Sequence, residues 1–425
     1  MGRRSLRLAA GLAAGLAAAL TGCSARKAAP TPDASPRGRA MSPARPDEGP
    51  IEHALVPCPV VDKEDLDRVL DAAADRYDAS DYATSLACAD QAARLAPRSV
   101  EAHHDRAAAL AALERWADAQ QAFTMALAID PDDPETLAGA ADLYVNRLPQ
   151  SRELTEIGLE FARRGAERSG GRRTDRGLAS RLAVLEAQAL DDLGRSDEAL
   201  AAAETALRHD ATSSEAGYER AVSLFQLGRF PAAREALATF LEAHGEDAYA
   251  HHHLGLVLER LGDPAGAASH MEKATALDPT KFPRPVLLEQ AAFQKLVERE
   301  LAALDPELRA LLPHVLVQVE ELPTDADLRS VDPPFSPTIL GLYKGAPLEL
   351  HAGSSRTVPV PDGARASTGL PPSEEPRTIV LYRKNLARAV GTEDELARQV
   401  RITLRHELGH LVGQDEDELR ARGLE

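Results

Sequence analysis

The stretch RHELGHLVGQDEDEL, residues 405–419, holds the side chains in this chain most suited to chemistry. His406 and His410 stand one helical turn apart, so on a helix their imidazoles share a face and can reach one metal ion. Glu407 lies beside them, placed to take a proton from water at that ion. Zinc accepts imidazole and carboxylate donors and brings the pKa of a bound water toward about 7, so the chemistry implied is hydrolysis of a peptide bond. Gly413 can end the helix and turn the chain back, bringing a third donor to the ion. Glu416, at the position a histidine takes in the pattern HExxHxxGxxH, is the expected third ligand; Asp415 and Asp417 are the alternatives, and each acidic residue also fits a solvated run.

The elements that must carry these groups are legible upstream. Thr392 and Glu395 have capping-box spacing and open the helix EDELARQVRITLRHELGHLV. HVLVQVEEL, TILGLYKGAPLEL and TIVLYRKNL read as three strands, and LLEQAAFQKLVERELAAL as an amphipathic helix with Phe293, Val297 and Leu301 on one face. Between the last two strands lies the long Gly/Ser/Pro-rich loop HAGSSRTVPVPDGARASTGLPPSEEPR, a lid or a plain insertion. Residues 283–425 are therefore expected to form a small α+β domain.

Three blocks in this order, LGLYKGAPL, TIVLYRKNLARA and HELGHLVGQDEDELRARGLE, resemble the bacterial minimal zincin-like metallopeptidases, small domains ending in HExGHxxGxxD. The resemblance spans about residues 286 to 425. It implies a compact zincin fold with zinc on His406 and His410 and with Glu407 as base. Family members more often carry aspartate where Glu416 stands. Every methionine lies upstream of the motif, so the Met-turn of a full metzincin site is excluded. The resemblance also implies that the strand before the motif helix, TIVLYRK, pairs with an extended substrate. Tyr382 and Arg383 at its end are candidate oxyanion stabilisers, with structural packing as the plainer role for each.

Residues 61–282 repeat. Pro97 and Pro131 stand 34 residues apart, and further units start near Ser180, Ser214 and Ala248 at the same interval. Small residues recur with them: Ala73, Ala107, Ala187, Ala221 and Gly255 in the first helix of a unit, Ala119, Ala199, Ala233 and Ala267 in the second. These segments resemble tetratricopeptide repeats, about six of them, the third degenerate and followed by the basic linker SGGRRTDRG. Paired helices approach closely only where side chains are small, and each unit leaves an apolar face that the next covers. The groove of such a solenoid would hold a protein or peptide partner and be lined by His104, Tyr218, Val222, Phe225, His252 and Leu256. The run His251 to His253 reads as surface and packing, because consecutive helical residues point to different faces.

The first residues carry Arg3, Arg4 and Arg7, then an apolar run from Leu8 to Leu20, the layout of a secretory signal over 1–22. Leu20-Thr21-Gly22-Cys23 resembles the bacterial lipobox, which implies a lipid on Cys23 and a place in the cell envelope, membrane-anchored. Residues 23–60 are rich in Pro and Ala and read as a tether. Cys58 and Cys88 then remain, a pair compatible with a disulfide in an exported protein, or two free thiols. Across 425 residues apolar side chains are 44% but aromatics only 4%, which favours close-packed helices. The net charge of -18 argues against a partner bound through its phosphates, so nucleic acid is not expected. The expected protein is mainly α: a repeat solenoid followed by a zincin-like α+β domain, acting as a membrane-tethered zinc peptidase on a protein or peptide substrate. The alternative is a non-catalytic envelope scaffold with a structural or vestigial zinc fold.

Overall fold

The computed structural model describes residues 57–59, 65–169, 175–348 and 376–421. The expected signal segment, Cys23, most of the tether and the long loop after β2 lie outside the described residues. The described chain divides into two compact units, one running to Lys281 and the other starting at Phe282.

The first unit is a series of helix pairs: α1 (Leu66–Asp78) with α2 (Tyr82–Leu95), α3 (Val100–Ala112) with α4 (Trp116–Ile129), and α5 (Pro134–Asp142) with α6 (Arg152–Ser169). α7 (Arg176–Asp192) with α8 (Ser196–His209), α9 (Ser214–Gln226) with α10 (Phe230–Ala243), and α11 (Ala248–Arg260) with α12 (Pro264–Leu277) complete it. The first helix of each pair opens on Asp65, Ser99, Asp133, Asp175, Ser213 or Asp247, whose side chain accepts an otherwise orphaned N–H of the first turn. Five pairs turn through one left-handed residue at a fixed place, Ser80, Glu114, Gly194, Gly228 and Gly262. The third pair instead runs from α5 into a π-helical turn, Leu143–Arg147, where its insertion is absorbed.

Packing follows the small residues. Ala73, Ala107, Ala187 and Ala221 have no exposed surface, and a methyl group on Gly255 would meet the Met271 side chain at 2.8 Å. That closeness corrects the expected groove lining: Tyr218, Val222, Phe225 and Leu256 are buried at 1%, 1%, 2% and 6% exposure, packed between helices. Of the histidine run, His251 and His253 are both buried, His253 Nδ1 lying 3.0 Å from the Tyr218 hydroxyl and His251 Nε2 3.1 Å from the Gly245 carbonyl. A disulfide joins Cys58, ahead of α1, to Cys88 in α2.

The second unit holds α13 (Gln290–Ala302), α14 (Pro306–Arg309), β1 (Leu316–Glu320), α15 (Asp325–Leu328), β2 (Gly341–Lys344) and β3 (Thr378–Tyr382). α16 (Arg383–Arg388), α17 (Glu393–Leu411) and α18 (Glu416–Ala421) follow. The sheet order is β1-β3-β2, with β1 parallel and β2 antiparallel to β3, registered Leu316 to Thr378 and Gly341 to Leu381. All five β3 residues are buried, since the strand is paired on both sides. Two expectations change here. TIVLYRKNL is a strand only to Tyr382, after which α16 begins, and the strand expected to pair with substrate is the central one, with no edge to offer. Leu396, Val400, Leu404, Leu408 and Leu411 form the apolar stripe of α17 and share a core with Phe293, Val297, Ile379 and Leu381. No described helix is long and apolar enough to cross a membrane.

Candidate metal centre

α17 is fixed before it reaches the motif. Thr392 Oγ1 accepts from the Glu395 N–H while the Glu395 carboxylate accepts from the Thr392 N–H, and the leucine stripe seats one face in the core. The other face presents Thr403, His406, Glu407 and His410. His406 Nε2 lies 3.1 Å from His410 Nε2, one turn on. The Nδ1 of His410 faces the Gln414 carbonyl at 3.0 Å; that contact suits an Nδ1–H donor and leaves the Nε2 lone pair for a metal.

The third group arrives by a reversal of the chain. Gly413 adopts φ 82°, the Gln414 N–H bonds back to the Gly409 carbonyl, and α18 folds against the end of α17. Leu419, fully buried, packs directly on Gly409: a methyl group there would stand 2.2 Å from Leu419 Cδ2. Glu416 is thereby brought back, Oε1 at 3.3 Å from His410 Nε2 and Oε2 at 3.8 Å from His406 Nε2. Donor atoms of His406, His410 and Glu416 all lie within 4.8 Å of one another. Hydrogen bonding to His406, then His410, holds the Glu416 carboxyl well below the usual carboxylate range, so it is an anion at neutral pH. Asp415 is used differently: its carboxylate accepts the Glu418 N–H at 2.9 Å and its own N–H donates to Glu418 at 3.2 Å, a reciprocal cap on α18. The Asp417 side chain lies outside those described.

Glu407 is buried beside the cluster at 6% exposure, and burial raises its pKa against the lowering pull of His406 and His410. The Tyr343 N–H of β2 donates to it. β2 can lie this close because position 341 is glycine: a methyl group there would stand 2.6 Å from Thr403 Cγ2 and 3.0 Å from Glu407 Oε1. Lys344 ties the far end of the strand to buried Asp327. Gly341 and the Gln414 carbonyl are site residues that HExxH spacing does not mark, and Gly409 is marked only by the first glycine of the HExGHxxGxxD pattern, which says nothing of its packing on Leu419.

The oxyanion candidates do not join this group. Arg383 spends its guanidinium on Glu321, at 2.9 and 2.7 Å, and on the Leu288 carbonyl, tying α16 to the loops around it. Tyr382 has no exposed surface, and burial followed by Asp327 raises its pKa, so it is a neutral core residue.

Two imidazoles and a carboxylate on one point are, among the described residues, a donor set that suits zinc. Residues 312–424 match the family model described as zincin-like metallopeptidase, so the chain carries a zincin-like domain. Residues 70–134, 184–234 and 218–281 match the tetratricopeptide repeat model, so the first unit is built of these repeats. Similar solved structures are repeat proteins. PilF of Pseudomonas aeruginosa is 18% identical with TM-score 0.43, covering 54% of this chain and 96% of its own. PilW, described as a widely conserved type IV pilus biogenesis factor, is 17% identical with TM-score 0.44, covering 51% of this chain and 94% of its own. YrrB, described as a TPR protein with an unusual peptide-binding site, is 17% identical with TM-score 0.35, covering 45% of this chain and 93% of its own. Among curated proteins none matches.

Proposed function

We propose that the second unit is a zinc-dependent peptidase and that the repeats hold a protein or peptide partner. The observation that carries this reading is the convergence of His406, His410 and Glu416 with a buried carboxylate, Glu407, one residue along the same helix. His406, His410 and Glu416 would hold the zinc, which when bound would supply Lewis acidity toward the scissile carbonyl and toward water. Glu407 takes the proton of the attacking water and returns it to the leaving amine. Burial raises its pKa, which moves it toward the operating pH, where one group can serve as base and then acid. The Tyr343 amide keeps the carboxylate aimed. In place of β3, the edge strand β2, which lies against α17 at Gly341, is the strand along which an extended substrate pairs.

The buried Glu407 carboxylate beside the three donors favours a working site over the alternative, a non-catalytic scaffold with a structural zinc fold. Glu407→Gln should keep its bound zinc, measured by metal analysis, while hydrolysis of casein falls by about 10²-fold or more. Unchanged hydrolysis would sink the mechanism; bound zinc with no hydrolysis of casein or of a peptide library, in the unsubstituted protein, would establish the scaffold instead.

Lipidation of Cys23, proposed on its lipobox-like surroundings, would tether the protein in the cell envelope. Cys23→Ala should then move it from the membrane fraction to the soluble one, and a distribution that stays put would count against the anchor.

A further inference from the structure

α1 and α3, the first helices of two successive repeats, enclose with Ser85 of α2 a pocket whose other polar residues are Tyr77, Asp78, His104 and Asp105 and whose apolar wall includes Ala108. Asp105 is 8% exposed, and its Oδ2 meets no hydrogen-bond partner; the Nδ1 of His104, 7% exposed, meets none either. No basic group pulls the Asp105 pKa down: Arg147 and Arg181, whose charges reach Tyr77 and, for Arg181, His104, are paired with Asp142 at 3.3 Å and with Glu135 at 3.1 Å. Arg106 pairs with Asp90 at 2.7 Å, His104 is held neutral by a burial that drops its pKa to about 4, and Tyr77, raised by burial to about 12, keeps its proton. Burial and then the neighbouring Glu101 raise the Asp105 pKa well above the usual value. A buried carboxyl without a counter-charge is driven toward its neutral form, and an ammonium or guanidinium is the group that would draw it back to the carboxylate and pair with it.

The same sign continues along the repeats. Glu101, Glu135 and Glu215 take the same place on α3, α5 and α9; burial raises the pKa of Glu135 and, together with Glu219 and Asp142, that of Glu215. Arg181, at the matching place on α7, is already paired with Glu135 at 3.1 Å. The apolar residues of this face are packed away, so charge is what it presents to a partner. A bare metal ion is a poor occupant of the pocket, since among the described residues three ligating groups converge only at His406, His410 and Glu416.

We propose that this face of the repeats binds a lysine- or arginine-rich segment of a partner protein, with one cationic side chain seated in the pocket against Asp105. The proposal gives a chemistry to the partner of the repeats and is independent of hydrolysis by the second unit. It is tested on the full chain carrying Glu407→Gln, with a fluorescent peptide of alternating lysine and alanine, by anisotropy at low and high salt. The lysine peptide should bind, more weakly at high salt, while the same peptide with acetylated lysines, or with glutamate for lysine, should not. Asp105→Asn should weaken binding about tenfold or more without lowering the melting temperature, and Glu160→Gln, an exposed carboxylate on α6, should leave it unchanged. Ala108→Leu, which fills the pocket and keeps every charge, should weaken it as well. Equal binding of the acetylated peptide, or full binding by both Asp105→Asn and Ala108→Leu, would overturn the proposal. So would Asp105-dependent binding of Ca²⁺ or Mg²⁺ alone that displaces the peptide, which would make the pocket an inorganic cation site.

Discussion

At the scale of single residues, the acidic run after the motif resolves into separate tasks. Asp415 caps α18, Glu418 answers it, and Glu416 turns to the imidazoles. Spacing favoured Glu416 but did not separate it from its neighbours, because three adjacent carboxylates look alike until the direction of the chain after Gly413 is known. That direction rests on Gly409. A methyl group there would press on Leu419, which has no exposed surface into which to move, so Gly409→Ala should displace α18 and draw Glu416 from the imidazoles. The expected outcome is zinc affinity reduced by about tenfold or more, read by competition with a chromophoric chelator, with α17 still helical by circular dichroism. Zinc affinity equal to that of the unsubstituted protein would mean that Glu416 is not a ligand or that Leu419 yields freely.

At the scale of elements, the repeats were the most legible part of the chain. Their 34-residue interval is set by a helix pair plus its turn, and small residues, caps and the left-handed turn position recur with it because every repeat solves the same packing problem. What the interval hid was depth. Tyr218, Val222 and Phe225 occupy positions that face a groove in principle, yet helices brought together on alanine and glycine leave those side chains no open surface. In the second unit, three strands were visible, HVLVQVEEL by its alternation, but their order was not. TIVLY is apolar throughout because both of its edges and both faces are covered, the mark of a central strand, and the same composition reads equally as the strand nearest the substrate. The boundary at Tyr382 was equally silent, since RKNLAR continues with residues that suit either state and becomes α16 only when Arg383 finds Glu321.

At the scale of the whole molecule, the disulfide in the first unit and the zinc proposed for the second would stabilise the two compact units by different chemistries, so each should respond to its own reagent. The disulfide closes a loop of sequence separation 30 in the first repeat, which by chain entropy contributes about 3–4 kcal/mol. Zinc at about 10³ times its dissociation constant would contribute about 4 kcal/mol to the second unit on the proposed site. Calorimetry should therefore show one unfolding transition that falls on reduction and is indifferent to chelator, and another that falls on chelation and is indifferent to reductant. A single transition shifted by both reagents would refute this division. The position of the disulfide has a mechanical consequence too. Because Cys58 precedes α1 and is bonded into α2, a pulling force on the chain ahead of it passes straight to the second helix. α1 sits inside the closed loop and carries none of that tension, so the stack cannot be peeled open turn by turn from its first helix.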